Sequence, residues 1–201
     1  MKRQILKISV VAALVLGAAS AANAANNAIV NVTGSIVTAT CDVTNPGSNG
    51  TVDTGNHIKT AFTAPPDGKF PGAGISKFIN DSERHFTIGL ADCSSDNKDA
   101  SKVKLYVTGN TLEGSGGYLF NKDINKQAGI VLSYLENNVL TPIKSESTVA
   151  MIVPNVKKDN KEEPDIKNSY AEFVVYIATK STDAPGNQRI TAPITFSYAY
   201  D

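Results

Sequence analysis

The feature that most limits how this chain folds is a period of two, repeated in short runs. In HFTIGLADC, which begins at His85, Phe86, Ile88 and Leu90 fall on one side. In KVKLYVTG, from Lys102, Val103, Leu105 and Val107 do the same, and the C-terminal ITFSYAYD sets Ile194, Phe196, Tyr198 and Tyr200 in one alternate row. Alternation at this spacing belongs to strands with one buried face. AGIVLSYL from Ala128, STVAMIVP from Ser147 and AEFVVYIAT from Ala171 add apolar runs of strand length. Between the runs lie turn-formers, among them NPGSNG at 45–50 and APPDGKFPGAG at 64–74. No segment keeps a helical period over three turns. Short strands punctuated by turn signals predict a single all-β domain, a sandwich or barrel.

The first residues follow a different logic. Lys2, Arg3 and Lys7 form a basic head, Ile8 to Ala19 is apolar, and Ala22-Asn23-Ala24 offers small residues for cleavage. This pattern predicts a signal peptide over 1–24 and an exported chain. Removing its three basic residues leaves 16 basic against 19 acidic, a net −3. That balance argues against nucleic acid and anionic lipid as partners. No second long apolar run follows, so no membrane span is expected after processing. In an oxidising compartment the two cysteines, Cys41 and Cys93, are expected to pair, closing a loop worth about 4 kcal/mol in the chain-entropy model. Metal ligation is the weaker reading, because the cysteines have neither C-x-x-C spacing nor a nearby histidine.

Catalytic chemistry has little to stand on. His57 and His85 are the only histidines, neither in a metal-binding spacing, and both read as sheet-edge or surface residues. Asp92, Asp96 and Asp99 cluster without the order of ligands of a calcium loop and read as a solvated turn. GNTLEGSGG lacks the helix and the Lys-Ser/Thr pair of a phosphate cradle. KKDNKEEPD, 157–165, reads as a solvated loop tip. The expectation is a non-enzyme without cofactor or metal.

Several segments, in order, resemble one family: the pilin subunits of chaperone–usher fimbriae of Gram-negative bacteria. IVNVTGSIVTATCDV is similar to the family's N-terminal extension running into its first strand and first cysteine. TVDTGNHIKTAF resembles the segment that follows, and HFTIGLADC the strand with the second cysteine. AGIVLSYLENNVLTPI is similar to the middle hairpin, and TFSYAYD, with its penultimate tyrosine, to the family's ending. The resemblance implies an incomplete immunoglobulin-like β-sandwich that lacks strand G and is completed by a strand donated from outside. It divides the chain into a signal peptide (1–24), a donor-strand extension (25–36) and a pilin domain (37–201).

Carried over residue by residue, the resemblance makes Val30, Val32, Gly34 and Ile36 the donor row, with Ala28 as an outer member. Ile194, Phe196, Tyr198 and Tyr200 line the acceptor groove along the last strand. Pro193 departs from a regular strand and implies a strand start, bulge or edge there. The implied role is a structural subunit, major in type, that polymerises into surface fimbriae by donor-strand exchange and supports cell adhesion. The alternative is a minor or adhesive subunit that binds host glycans. The implied partners are neighbouring pilin subunits, a periplasmic chaperone, an outer-membrane usher and a host-surface receptor. The implied location is the fimbrium outside the cell, after periplasmic transit.

Overall fold

The computed structural model describes residues 27–34, as backbone, together with 41–44, 50–93, 97, 99–137 and 139–200. The signal-peptide segment 1–24 and Ile36 lie outside the described residues. Every regular element is a strand or a short 3-10 turn, so the all-β expectation holds among the described residues. The strands begin with β1 (Asn27–Gly34), β2 (Asp42–Val43), β3 (Thr51–Asn56), β4 (Phe62–Thr63), β5 (Lys77–Ile79), β6 (Arg84–Ala91) and β7 (Val103–Thr108). They continue with β8 (Leu119–Phe120), β9 (Gly129–Glu136), β10 (Val139–Pro142), β11 (Ser147–Ala150), β12 (Asn155–Lys158) and β13 (Lys161–Pro164). The chain closes with β14 (Tyr170–Thr179), β15 (Ile190–Thr191) and β16 (Ile194–Tyr200).

Two sheets enclose the core. In the first, the order runs β11-β7-β16-β1, with β15 beside β1 in line with β16 and β3 on the opposite edge of β1. In the second, β14 lies between β9 and a shared edge made of β6 and β5; β10 and β8 extend it beyond β9, β2 beyond β6 and β4 beyond β5. The disulfide Cys41–Cys93 ties the residue before β2 to the segment after β6, as the cysteine count predicts. Pro193 falls in the break between β15 and β16, where its missing N–H costs no ladder bond.

The alternating runs explain the packing. Phe86, Ile88 and Leu90 of β6 and Val103, Leu105 and Val107 of β7 are buried, and their neighbours in sequence are less so. Phe173, Val175 and Ile177 of β14 meet Ile194, Phe196 and Tyr198 of β16 in the same core. Aromatic rings bridge the sheets: Phe173 lies 4.9 Å from Phe196, and Phe86 lies 5.4 Å from Phe173 and 6.1 Å from Phe196. Such contacts add to the burial of large apolar surfaces.

The unbroken apolar runs have another cause. The intervening residues of β14, Val174, Tyr176 and Ala178, enter a second cluster on the outer face of their sheet, beneath Phe70 and Ala73 of the 64–76 segment. With both faces covered, β9 and β14 have no solvent side and so lose the polar half of the alternation. Phe70, Phe78 and Tyr176 pack edge to face at 5.4–5.7 Å, and the Lys69 ammonium lies 4.4 Å from the Tyr176 ring and 4.6 Å from that of Phe78. This cation–π contact pins the Pro/Gly-rich segment to the sheet.

The 157–165 run is not a plain loop tip. It contributes to the exposed hairpin β12–β13, whose turn residues Asp159 and Asn160 have φ of 49° and 63°. Asp and Asn tolerate the left-handed region that a two-residue hairpin turn requires, and Lys157 faces Glu162 across the ladder. Local turn chemistry thus makes a hairpin of a charged stretch.

The packing makes two predictions. Phe173→Ala removes the ring shared by both sheets and is expected to cost about 3–5 kcal/mol in a denaturant titration. The second concerns Tyr176, whose hydroxyl donates to Glu83 Oε2 at 2.6 Å. This bond, aided by His85 and Lys69, holds the Glu83 carboxyl below its usual range, while burial and Glu83 push the Tyr176 hydroxyl up. A depressed carboxyl stabilises above its ordinary pKa, and that contribution is lost as pH falls through the depressed value. Because Glu83 is 38% exposed, the bond is screened, so Tyr176→Phe should cost only about 1 kcal/mol at neutral pH. That difference should shrink once the pH falls below about 4, which melts of both proteins across the acid range would check.

Candidate functional site

The second edge of β16 is filled from within the chain. β1 runs parallel to it, with Val32 opposite Ile194 and Gly34 opposite Phe196. Further back, Ala28 faces Ile190 and Ile29 faces Thr191 of β15. On the other edge of β1, β3 runs antiparallel, with Val30 opposite Val52. The first strand therefore occupies a slot with two walls, β15–β16 and β3.

The structure thus brings the expected donor and acceptor rows together, within one chain. Val32 and Gly34 stand beside Ile194 and Phe196, whereas Val30 is matched to β3. The bare edge implied by the resemblance is not shown in this chain. Of the acceptor row, Ile194 and Phe196 are fully buried and Tyr198 nearly so, while Tyr200 is 38% exposed. Tyr198 donates its hydroxyl to Asn97 Oδ1 at 3.1 Å, and the Tyr200 hydroxyl accepts from the Asp99 N–H at 3.2 Å. The outer end of the row is therefore a polar closure rather than an apolar pocket lining.

The far wall is built around an irregularity. TVDTGNHIKTAF reads as extended pieces broken at Gly55, yet β3 passes through Gly55 to Asn56 by means of a bulge. Ala28 pairs with Gly55 and Ile29 with Asp53, which leaves buried Thr54 as the extra residue. Gly55 sits at φ +85°, and its N–H donates to Asp53 Oδ1 at 2.9 Å. The carbonyls exposed by the bulge are met by side chains. His57 Nε2 donates to Thr54 O at 2.7 Å, and Arg84 Nε donates to Asp53 O at 2.9 Å. Arg84 also reaches Thr54 O with Nη2, at 3.4 Å.

A pocket that includes Ile190 of β15 is lined by Ile58, Phe62, Ile79 and Ile177 together with the polar His57, Lys59, Asn187 and Gln188. Ile58 is 69% exposed there.

No protein-family model matches the chain, and no curated protein matches it. Among solved structures, a chain of a chaperone-usher pilus is similar at a TM-score of 0.41 and 20% identity, over 84% of this chain and 92% of that one.

Two of the other polar candidates, Asp99 and His85, have local hydrogen-bond partners. Asp99 Oδ1 accepts from the Ser101 N–H at 3.0 Å and from its hydroxyl at 2.6 Å, which caps a short 3-10 turn and holds the Asp99 carboxyl low. Asp96 lies outside the described residues. His85 bonds Glu83 at 2.7 Å on the exposed side of β6. No group of three or more potential metal ligands is found among the described residues.

The break read at Gly55 is the one sequence signal of the bulge, and Arg84 has none. Arg84 stands just before the alternating run that begins at His85, and its β3 partners lie some thirty residues earlier. Gly55 is the testable member of the wall: a Cβ there would approach Arg84 Nη2 at 3.4 Å from a backbone that side chains rarely adopt. Gly55→Ala is expected to lower stability by about 1–2 kcal/mol, read from thermal or denaturant unfolding.

Proposed function

We propose that this protein is a structural subunit of a surface fibre that assembles by exchanging its N-terminal strand between copies. The observation that carries this reading is the position of β1, which is laddered on both edges between β16 and β3. A terminal strand held in this way can be replaced by an equivalent strand from another copy with little change in the contacts made. Main-chain hydrogen bonds would supply the affinity of such an exchange, and alternate side chains its register. If each copy gives one strand and receives one, the contact is head-to-tail and builds a filament. In this reading the slot is the strand-G position of an immunoglobulin-like sandwich, and Val30, Val32, Gly34 and Ile36 form the exchanged row.

The sequence resemblance to chaperone–usher pilins supports the same reading. It adds as proposals a periplasmic chaperone that holds the slot before assembly, an usher at the outer membrane, a host receptor for the fibre, and a role without catalysis. The exported chain expected from the first 24 residues is consistent with that route.

The test is a gel of the processed chain after incubation at high concentration, run with mild detergent and again after heating in denaturant. A ladder of multimers that survives detergent and collapses on denaturation is expected. Deleting Asn26–Ile36 should reduce the ladder by about tenfold or more, because the donor is lost while the acceptor remains. An undiminished ladder from the deleted chain would overturn the proposal.

A further inference from the structure

Exchange of the strand in the slot poses a problem for the wall at its far side. Among the named strands, β3 has one ladder partner, β1. When β1 leaves, β3 loses its one ladder among the named strands, and a bulged strand without that ladder is poorly placed to accept the next one. What remains among the described residues is the packing of Val52 on the shared core and a polar bridge to the opposite sheet, which Arg84 makes.

Arg84 stands at the first position of β6, in the second sheet. One side of its guanidinium reaches across to the β3 carbonyls of Asp53 (2.9 Å) and Thr54 (3.4 Å). Nη1 donates to the carbonyls of Glu83 (2.6 Å) and Asp81 (3.2 Å). The footing on that second side is rigid. The Ser82 hydroxyl donates to Ile79 O at 2.6 Å and accepts from the Ile177 N–H at 2.8 Å, so the 3-10 turn Asn80–Ser82 is fixed to β14. Glu83 is fixed to the same strand through the Tyr176 hydroxyl. A planar fork with five N–H donors can span four carbonyls in this way, and an ammonium on a flexible stem cannot.

We propose that Arg84 is a positioning residue: it holds β3 at its place in the slot while the strand between β3 and β16 is exchanged. This rests on the strand-exchange reading of the slot. A residue that merely stabilised the whole fold would loosen every part of the domain together, whereas a clamp on one wall loosens that wall alone.

The experiment uses single-cysteine reporters in the intact chain, whose two native cysteines are paired. Thr54→Cys reports on the wall, and Val52→Cys serves as a second reporter on the same strand. Ser133→Cys reports on the core, where the Ser133 hydroxyl is buried without a hydrogen-bond partner. Adding Arg84→Gln is expected to speed labelling of the wall thiol at position 54 by about tenfold, with labelling of the core thiol at position 133 unchanged within about twofold. Arg84→Lys should behave like Arg84→Gln, and it also decides the matter if Arg84→Gln fails to fold. Multimers should form about tenfold more slowly in both variants, by the same local opening. Unchanged labelling of the wall, equal acceleration at wall and core, or full rescue by lysine would each overturn the proposal. If the parent chain forms no multimers, the strand-exchange reading fails, while the labelling still reports whether Arg84 clamps β3.

Discussion

A strand buried on one face and flanked on both edges must satisfy its backbone groups on each side, because unpaired N–H and C=O groups away from water are costly. β16 meets this demand with β7 on one edge and β1 on the other. Much of the first sheet depends on that second contact. β15 lies against β1, and among the described strands β3 joins the sheet through β1. The first strand is therefore both a terminal segment and the central connector of its sheet. In the proposed exchange, removing this strand opens a slot between β15–β16 and β3, whose second wall is bridged to the other sheet by Arg84.

The second sheet is the stable counterpart. β14 places Phe173, Val175 and Ile177 against the shared core and Val174, Tyr176 and Ala178 under the outer covering. One face of this sheet is thus buried against the first sheet and the other beneath the 64–76 segment. The turn at Asn80–Ser82 and the Arg84 guanidinium then extend its rigidity across to β3. Beside the bulge at Thr54, the side chains of His57 and Arg84 meet the carbonyls of Asp53 and Thr54.

How much is legible in the sequence depends on the range of the interaction concerned. β6, β7 and β16 are readable because a period of two marks one buried face, and their buried residues are those the alternation selects. Pro193 marks the break before β16 through its missing donor. The charged run at 157–165 reads as a loop tip and is a hairpin, because the hairpin depends on the φ values of Asp159 and Asn160 rather than on any apolar pattern. The second covering on β14 leaves only a trace, the lost alternation of AEFVVYIAT. The wall of the slot leaves only the break at Gly55: the bulge at 53–55 and the turn with its arginine at 80–84 become a unit only when the two sheets are stacked.

By itself, the sequence determined the all-β class, the positions of the main strands, the pairing of Cys41 with Cys93 and the buried alternate row Ile194, Phe196 and Tyr198 of the last strand. Those properties follow from local periodicity, from turn chemistry and from there being two cysteines to join. Only the tertiary structure decided that the first strand lies parallel to β16 and antiparallel to β3, and that Arg84 spans the sheets beside it. Strand direction and register come from long-range hydrogen bonding, which alternation leaves open because either direction buries the same face.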